Sequence, residues 1–204
     1  TRLFGLEFRE LEGPFYHPDV RGWEVTRKGA HVAVFLGDYF ARGSKRSGAW
    51  CSAMRSQRKL GGDQRPIVVN VCNFAKAEPA LLSYDDARTL FHEFGHGLHG
   101  LLSNVTYPSL ACTAVARDFV ELPSQLFEHW LETDEILKTY ARHSETGAPM
   151  PDTLIKKLDA ARTFNQGFAT VEYVSSAIAD IDFHEAAQTG AELDVMALEA
   201  ATLE

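Results

Sequence analysis

The sequence predicts an α+β protein in which a small twisted sheet packs on a mostly helical core. Over the first 80 residues, short segments rich in β-branched and aromatic side chains alternate with turn signals, as strands do. From Ser83 onward the apolar residues recur with a helical period. The chain has 204 residues, 45% hydrophobic and 24% charged, enough for one good core or two small ones. We therefore expect one domain with a β-rich part, residues 1–80, and a helical part, residues 81–204.

Four segments of the first part have the composition of strands. They cover residues 3–8, 22–26, 31–40 and 66–74, and "RKGA" at residues 27–30 predicts a turn between the second and the third. The segment from Ala41 to Arg65 is rich in Gly, Ser, Lys and Arg and is predicted as a long loop. Long loops in compact domains often carry function.

The helical part begins with a clear start signal. Ser83, followed three residues later by Asp86, resembles a capping box with Asp in place of Glu, so the first helix should begin there. Further helices are expected at 117–132, 134–143, 152–161 and 163–188, with a break at "GAP", residues 147–149.

Composition and charge exclude several classes of function. The net charge of −8 gives no general attraction to nucleic acid or anionic lipid, and the sequence has neither a Walker-type glycine loop nor a basic amphipathic stripe. Charged residues interrupt the apolar stretches well before 18 residues, and the first residues lack a signal-peptide pattern. We expect a cytoplasmic protein with no nucleic acid or membrane partner. Because the chain starts without Met and stops inside a helical pattern, we also expect it to be part of a longer polypeptide.

The three cysteines do not suggest a disulfide framework. Their number is odd and no pair has C-x-x-C spacing, which also argues against a zinc site built from cysteines. Reduced, partly buried thiols are expected at Cys51, Cys72 and Cys112.

The segment "TLFHEFGHGLHGLL", residues 89–102, predicts a helix with two different faces. His92 and His96 are one helical turn apart, so both imidazoles can reach a single ion. Glu93 lies about 100° round the helix, beside such an ion rather than on it. This H-E-x-x-H arrangement is typical of zinc peptidases, and the alternative is a buried histidine pair whose hydrogen bonds are satisfied.

His99 lies on the same stripe but does not fit as a third ligand. It is some 10 Å from His92 along the axis, from the rise of 1.5 Å per residue. The metzincin pattern is excluded as well, because it needs a histidine where Leu102 stands. For His99 we expect a supporting or structural hydrogen bond.

A second helix, "RDFVELPSQLFEHW", offers a carboxylate. Four polar residues lie on one stripe of it: Asp118, Glu121, Gln125 and Glu128. Glu121 is predicted as the third ligand, with His99, Asp118, Gln125 and Glu128 as candidates for the surrounding hydrogen bonds. Asp118 or Glu128 could be the ligand instead, and a surface helix with solvated acids is the alternative to any metal site.

These residues resemble the thimet oligopeptidase family of zinc metallopeptidases. The resemblance rests on "FHEFGHGLHGLL" followed by "RDFVELPSQLFEHW", with His96 and Glu121 separated by 25 positions. The stretches "GDYFARGSKRSGAW", "RPIVVNVCNF" and "FNQGFATVEY" are more similar to its bacterial peptidyl-dipeptidase branch, the dipeptidyl carboxypeptidases. The similarity runs over nearly the whole chain.

The resemblance implies a zincin-like catalytic core with one Zn²⁺ per chain. Zinc would lie on His92, His96 and Glu121, with Glu93 as the general base that takes a proton from a zinc-activated water. The implied substrates are short peptides, cut to release C-terminal dipeptides. The alternatives are an endo-acting oligopeptidase of the same family, or a catalytically silent metal-binding fragment.

The chain departs from the family in three ways. Ala111-Cys112-Thr113 stands where members usually have Ser-Gly-Thr, and Arg88 where they often have an acidic or apolar residue. Members are also several times longer and carry a substrate-binding segment beyond the point where this chain stops. We therefore expect the rest of a parent polypeptide to be missing, and weak or no turnover from this chain alone.

The predicted loop is a positively charged part of an acidic chain. Residues 42–65 carry seven basic residues against a single acid, Asp63. Arg42, Lys45 and Arg46 are candidates for binding the terminal carboxylate of a peptide, and a solvated loop is the alternative. The strand predicted at 66–74 would either pair with an extended substrate or lie inside the sheet.

Overall fold

A computed structural model describes residues 1–188, 190 and 192–203. The chain forms two compact units, Thr1–Met150 and Pro151–Glu204. The boundary between these units, at 150/151, differs from the predicted boundary between the β-rich and the helical part, at 80/81. The first helix packs on the sheet, so the sheet and the helices that follow it belong to one unit. Each unit is described by itself.

Five strands of the first unit form one mixed sheet. In chain order they are β1 (Leu6–Leu11), β2 (Arg21–Arg27), β3 (Ala30–Phe40), β4 (Trp50–Arg55) and β5 (Ile67–Phe74). In the sheet they follow the order β1-β2-β3-β5-β4. The pair β3 and β5 is parallel and the other pairs are antiparallel. β5 is thus an interior strand flanked on both sides, whereas β4 lies at an edge.

The turn predicted at residues 27–30 joins β2 to β3 in a tight hairpin. Lys28 and Gly29 both have a positive φ, 50° and 77°, as the two central residues of a type I′ turn require. The prediction of a continuous loop from Ala41 to Arg65 was wrong in its middle, where β4 forms. Polar and glycine-rich flanks mask this strand in the sequence, and its pairing with β5 stabilises it.

The helices of the first unit follow the sheet. They are α1 (Tyr84–Leu101), a 3₁₀ turn (Pro108–Leu110), α2 (Arg117–Val120), α3 (Leu122–Leu131) and α4 (Asp134–Tyr140). The predicted capping box is formed, since Ser83 Oγ accepts a hydrogen bond from the Asp86 amide and Asp86 Oδ2 accepts one from the Ser83 amide, both at 3.0 Å. The single helix expected at 117–132 is two helices that meet at Glu121.

The main core lies between α1 and one face of the sheet. It consists of Leu6, Val25, Ala33, Phe35, Val68, Leu98 and Leu101. A second apolar cluster contains Val20, just before β2, and the strand residues Leu36, Val69 and Val71. Burial against the sheet fixes the rotation of α1 about its axis, and that rotation decides which way its histidines point.

The second unit is helical. It contains α5 (Asp152–Ala161), α6 (Gln166–Ala187) and α7 (Val195–Leu203). α6 and α7 pack on each other, and Thr202 Oγ1 donates a hydrogen bond of 2.6 Å to Asp182. α6 begins three residues later than predicted, because Asn165 before it has a left-handed backbone. Among the helices of the described residues, none combines the length and the apolar character needed to cross a membrane.

Candidate metal centre

His92 and His96 of α1 point to the same place as Glu121. Glu121 Oε2 lies 3.2 Å from His92 Nε2 and 3.1 Å from His96 Nε2. The two imidazole rings are 4.9 Å apart and nearly perpendicular. The structure thus brings together the two histidines predicted from the H-E-x-x-H spacing and the carboxylate predicted from the next helix.

The close crossing of α1 and α3 makes this meeting possible. A Cβ atom at Gly95 would lie 2.6 Å from both Pro123 O and Ser124 Cα, a separation that real Cβ atoms almost never show. Only glycine therefore allows α3 to approach α1 at this point. Beside it, Phe127 of α3 stacks on Phe91 at 5.6 Å, and the pair holds the helices together.

The break between α2 and α3 positions Glu121. Pro123 lies in the first turn of α3, where a proline is tolerated without kinking the helix. It has no N–H to donate to the carbonyl of Phe119, so α2 cannot continue through it. Ser124, fully buried, shares its one hydroxyl proton between Glu121 Oε2, at 2.8 Å from Oγ, and the Glu121 carbonyl oxygen, at 2.9 Å. These bonds orient the carboxylate toward α1.

Glu128 supports His92 from the other side of the ring. Its Oε1 lies 2.6 Å from His92 Nδ1, and its Oε2 accepts a 2.6 Å bond from Arg88 Nε. Burial opposes its ionisation, but the bonds to His92 and Arg88 outweigh burial and lower the pKa of Glu128. An ionised Glu128 makes Nδ1 the protonated nitrogen of His92 and leaves Nε2 free as a ligand.

The pKa values of His96 and Glu121 are both lowered in the folded protein. Burial lowers the pKa of His96, which favours the neutral imidazole that a metal requires. Burial also opposes ionisation of Glu121, yet the Ser124 hydroxyl and the two imidazoles lower its pKa. Both shifts favour the forms that a metal ion binds, a neutral imidazole at His96 and an ionised carboxylate at Glu121.

The pKa of Glu93 shifts in the opposite direction to those of His96 and Glu121. The Glu93 side chain is 6% exposed, and its Oε2 has no hydrogen-bond partner among the described residues. Burial raises the pKa of Glu93, partly opposed by His92. A buried carboxylate oxygen without a partner lowers stability, and such a group next to two imidazoles is typical of a functional site.

The three converging residues fit a divalent metal ion. One donor atom from each of His92, His96 and Glu121 lies within 4.8 Å of the other two, and within the described part of the chain this is the one group of its kind. Two imidazole nitrogens and one carboxylate oxygen are a typical ligand set of catalytic zinc. They also accept other first-row metals.

The remaining predicted residues of the two helices lie outside this centre. His99 packs edge-on against Phe119, and its Nδ1 makes no hydrogen bond to any described residue. The side chains of Asp118 and Gln125 are exposed and form no hydrogen bond or ion pair within the described ranges. Of the four candidates for supporting hydrogen bonds, the structure places only Glu128 on a ligand residue.

The basic residues of the predicted loop belong to a different cluster. Arg42 donates two bonds to Asp38, of 2.6 and 2.7 Å. Lys45, 4% exposed, lies 2.8 Å from Asp38 Oδ1 and also donates to the carbonyl groups of Asp38, Phe40 and Cys72. Although burial alone would raise it, the pKa of Asp38 is held well below its usual range by Arg42, Lys45 and Tyr16.

This cluster argues against the predicted role of Arg42 and Lys45 in binding a substrate carboxylate. Their donors are already occupied inside the fold, and Lys45 is not part of a solvated loop either. Arg46 lines the same cleft, of about 260 Å³, with Tyr16 and Trp50. Its role as a carboxylate-binding residue stays a prediction.

Comparison with known proteins identifies the family. The family model described as Peptidase family M3 matches residues 1–203. This chain belongs to Peptidase family M3. The match confirms the family resemblance stated from the two helices, and it covers both units of the structure.

Among curated M3 relatives, the chain is similar to enzymes of two names. It is 47% identical over 189 residues to the dipeptidyl carboxypeptidase of Escherichia coli K12, covering 90% of this chain. With the dipeptidyl carboxypeptidase of Salmonella typhimurium it is 43% identical over 204 residues, 98% of this chain. Oligopeptidase A of E. coli K12 is 35% identical over 191 residues, 90% of this chain. The chain spans 28%, 30% and 28% of the length of these relatives, respectively.

Three residues that shape this candidate site were not predicted from the sequence. Gly95 allows the helix crossing, Ser124 holds Glu121, and Arg88 holds Glu128. The positions of two of them in the sequence suggest a contact with the site. Arg88 lies one helical turn before His92, and Ser124 lies three residues after Glu121. For Gly95 the contact partner lies on another helix, so its role needed the structure.

Proposed function

We propose that this chain carries the catalytic zinc site of a peptidase that hydrolyses short oligopeptides and releases C-terminal dipeptides. The observation that carries the proposal is the convergence of His92 Nε2, His96 Nε2 and a Glu121 oxygen within 4.8 Å of one another. Membership in Peptidase family M3 supports the peptidase activity. The zincin-like character of the helical core is part of the same proposal.

His92, His96 and Glu121 would hold one Zn²⁺. When bound, the ion supplies Lewis acidity that polarises a peptide carbonyl and makes a water molecule acidic at neutral pH. Burial, which lowers the pKa of His96, favours the neutral imidazole there, and the lowered pKa of Glu121 favours its ionised carboxylate. Glu128 and Ser124 fix the ring of His92 and the carboxylate of Glu121 in place.

Glu93 would act as general base and then as general acid. Its Oε2 is not engaged by any described residue and can accept a proton from the attacking water. Burial raises the pKa of Glu93 and so brings its proton affinity closer to what proton transfer at neutral pH needs. The same carboxyl group would pass this proton to the amine nitrogen that leaves.

The edge strand β4 is the best place for an extended peptide. β4 pairs with β5 on one side only, and it packs against α1, the helix of the two histidines. A peptide that adds to this free edge would form backbone hydrogen bonds and run along the histidine helix. Interior β5, the alternative considered from the sequence, has no free edge for this purpose.

The variant Glu93→Gln tests the mechanism. It should keep about one zinc per chain by elemental analysis, because it leaves all three ligands in place, while hydrolysis is lost. Glu145→Gln, at an exposed position of the same unit, is the matched control and should keep both. Hydrolysis by Glu93→Gln at the rate of the control would contradict the base assignment.

A second variant tests the ligand set. Glu121→Ala should lose bound zinc, since two imidazoles alone bind the ion weakly. Unchanged zinc affinity would show that Asp118 or Glu128 supplies the third ligand. The experiment separates the metal site from the peptidase activity, because its readout is zinc content.

Product analysis tests the mode of cleavage. Digestion of a decapeptide should release dipeptides from the C-terminus, and amidation of that terminus should slow the reaction strongly. The similarity to Oligopeptidase A supports the alternative, an endo-acting enzyme, for which internal cuts and insensitivity to amidation are expected. Both assays should be run with this chain and with any longer polypeptide that contains it. Zinc binding without turnover in either form would favour a catalytically silent fragment.

A further inference from the structure

We propose that Cys51 and Cys112 form an oxidisable pair that closes to a disulfide under peroxide, linking edge strand β4 to the segment after α1. The inference does not depend on the peptidase activity. It rests on where the two thiols lie.

Cys51 faces the layer between the sheet and α1. In the antiparallel pair of β4 and β5, Cys51 is opposite Asn70 and Ala53 is opposite Val68. Opposite residues, and residues two apart along a strand, share one face of a sheet. Val68 packs in the main core with Leu98 and Leu101 of α1, and Cys51 packs against the same core.

Cys112 enters this layer from the segment that follows α1. A Cβ atom at Gly100 of α1 would lie 2.8 Å from Cys112 Sγ and 2.9 Å from Val68 Cγ2. The Cys112 sulfur therefore fills the space that Gly100 leaves over β5. The Cys112 amide donates to Ser103 Oγ at 2.9 Å, which anchors the residue from behind.

The two thiols touch each other and differ in acidity. A side-chain hydrogen bond joins them. Donation from Cys51, together with hydrogen bonds from Thr113, lowers the pKa of Cys112. The same partner, burial and the Glu93 carboxylate raise the pKa of Cys51. Cys112 is thus the more acidic thiol of the pair, and Cys51 is the hydrogen-bond donor that supports its ionised form.

Cys112 also has an unusual backbone conformation, which is an observation independent of its pKa. Its φ is 54°, in the left-handed region that favours glycine. In this region the Cβ atom crowds the following carbonyl oxygen, so a residue other than glycine is strained there. Cys72, the third cysteine, is buried on β5, and burial raises its pKa to about 12, so it lacks the reactive character of Cys112.

The chemistry balances in two steps. The Cys112 thiolate attacks hydrogen peroxide, its sulfur is oxidised to sulfenic acid, and the peroxide leaves as hydroxide, which takes up a proton to become water. The Cys51 thiol then attacks the Cys112 sulfur, the S–S bond forms, and a second water leaves. In sum, two thiols and one peroxide give one disulfide and two waters.

Tryptic mapping tests the pair directly, because the three cysteines fall in separate peptides. Cys51 lies in residues 47–55, Cys72 in residues 60–76, where the Arg65–Pro66 bond resists trypsin, and Cys112 in residues 89–117. The reduced folded chain is treated with hydrogen peroxide, free thiols are alkylated, and the digest is read without reduction. Peptides 47–55 and 89–117 should appear linked, two hydrogens lighter than their sum, while 60–76 stays alkylated.

Variants make the result decisive. Cys72→Ser should keep the link, and Cys51→Ser should leave a sulfenic acid at Cys112 that dimedone traps. Cys112→Gly, which accepts the left-handed backbone, should abolish the link. Peptides 47–55 and 89–117 recovered unlinked after peroxide, or links that involve Cys72 in the folded chain, would overturn the inference. In guanidinium, where proximity is lost, links to Cys72 are expected.

Discussion

Replacing Gly95 by alanine should loosen the metal centre without changing a ligand. The new Cβ would lie 2.6 Å from Pro123 O and Ser124 Cα, both backbone atoms that cannot rotate away. Ordinary van der Waals contact for a Cβ atom begins at 3.4 Å, so α3 must move by 3.4 − 2.6 = 0.8 Å. That shift carries Ser124, and with it the carboxylate of Glu121, away from the two imidazoles.

The magnitude follows from two opposing effects. Overpacking of a close helix contact costs about 1–3 kcal/mol. Alanine is a better helix former than glycine by about 1 kcal/mol, so the net loss of stability should be about 0–2 kcal/mol. Displacement of the residues that orient a ligand typically lowers metal affinity by about 10–100-fold. Zinc affinity should therefore respond more clearly than the folding free energy.

Competition with a fluorescent chelator measures the zinc affinity, and urea unfolding of the metal-free chain measures the stability. The matched control is Gly167→Ala in α6, where no atom lies within 4 Å of an added Cβ. It should leave zinc affinity unchanged and should not lower stability. If Gly95→Ala binds zinc as tightly as this control, the close crossing does not position Glu121 and the reasoning fails.

Three further predictions concern residues that support charged groups. Ser124→Ala removes the hydroxyl that lowers the pKa of Glu121, so zinc affinity, measured by the same competition, should fall by about tenfold. Glu128→Gln removes the anionic partner of His92 Nδ1 and should lower zinc affinity by about 10–100-fold; an unchanged value would mean that Glu128 does not orient the ring. Asp38→Asn leaves buried cations without their carboxylate and should cost about 3–5 kcal/mol in urea unfolding. Because the pKa of Asp38 is lowered in the folded state, its contribution is fully present above its unfolded pKa of about 3.9 and is lost as the pH falls below it. The acid limb of the wild-type stability curve should therefore be steeper than that of Asp38→Asn, and parallel limbs would contradict this linkage.

Local patterns predicted the parts of the fold that local chemistry determines. Ser83 and Asp86 form the expected capping box, because both partners are three residues apart on one chain segment. α5 has the predicted bounds, since it lies between clear breaks. For β4 the signal failed, because its polar and glycine-rich flanks hide a short edge strand that is stabilised by pairing with its neighbour β5.

At the candidate metal centre, too, the features set by one helix were predictable and those set by contacts between helices were not. The spacing of His92 and His96 is a property of one helix, so the sequence predicted their convergence directly. That Glu121 reaches them depends on a helix break at Pro123 and on the crossing at Gly95, neither of which spacing alone specifies. The sequence contained a polar stripe with three acids, and tertiary contacts decided that Glu121 meets both Nε2 atoms while Glu128 meets Nδ1 of His92.

Two groups of buried polar side chains in the first unit differ in how completely their hydrogen bonds are satisfied. Around Asp38 each cation has an oxygen partner: Arg42 forms two bonds to the carboxylate, and Lys45 binds the carboxylate and three carbonyl groups. Such a satisfied cluster stabilises one arrangement and has little capacity left to bind a ligand. Along α1, by contrast, the buried Oε2 of Glu93 and Nδ1 of His96 have no partner among the described residues, although both lie beside converging ligand atoms. Among the described residues, three such unpartnered buried atoms lie on α1, at Glu93, His96 and His99, and two belong to Asn70 of β5. Since unsatisfied buried groups lower stability, this accumulation between α1 and β5 supports the proposal that α1 carries the chemistry, whereas the satisfied Asp38 cluster supports the fold.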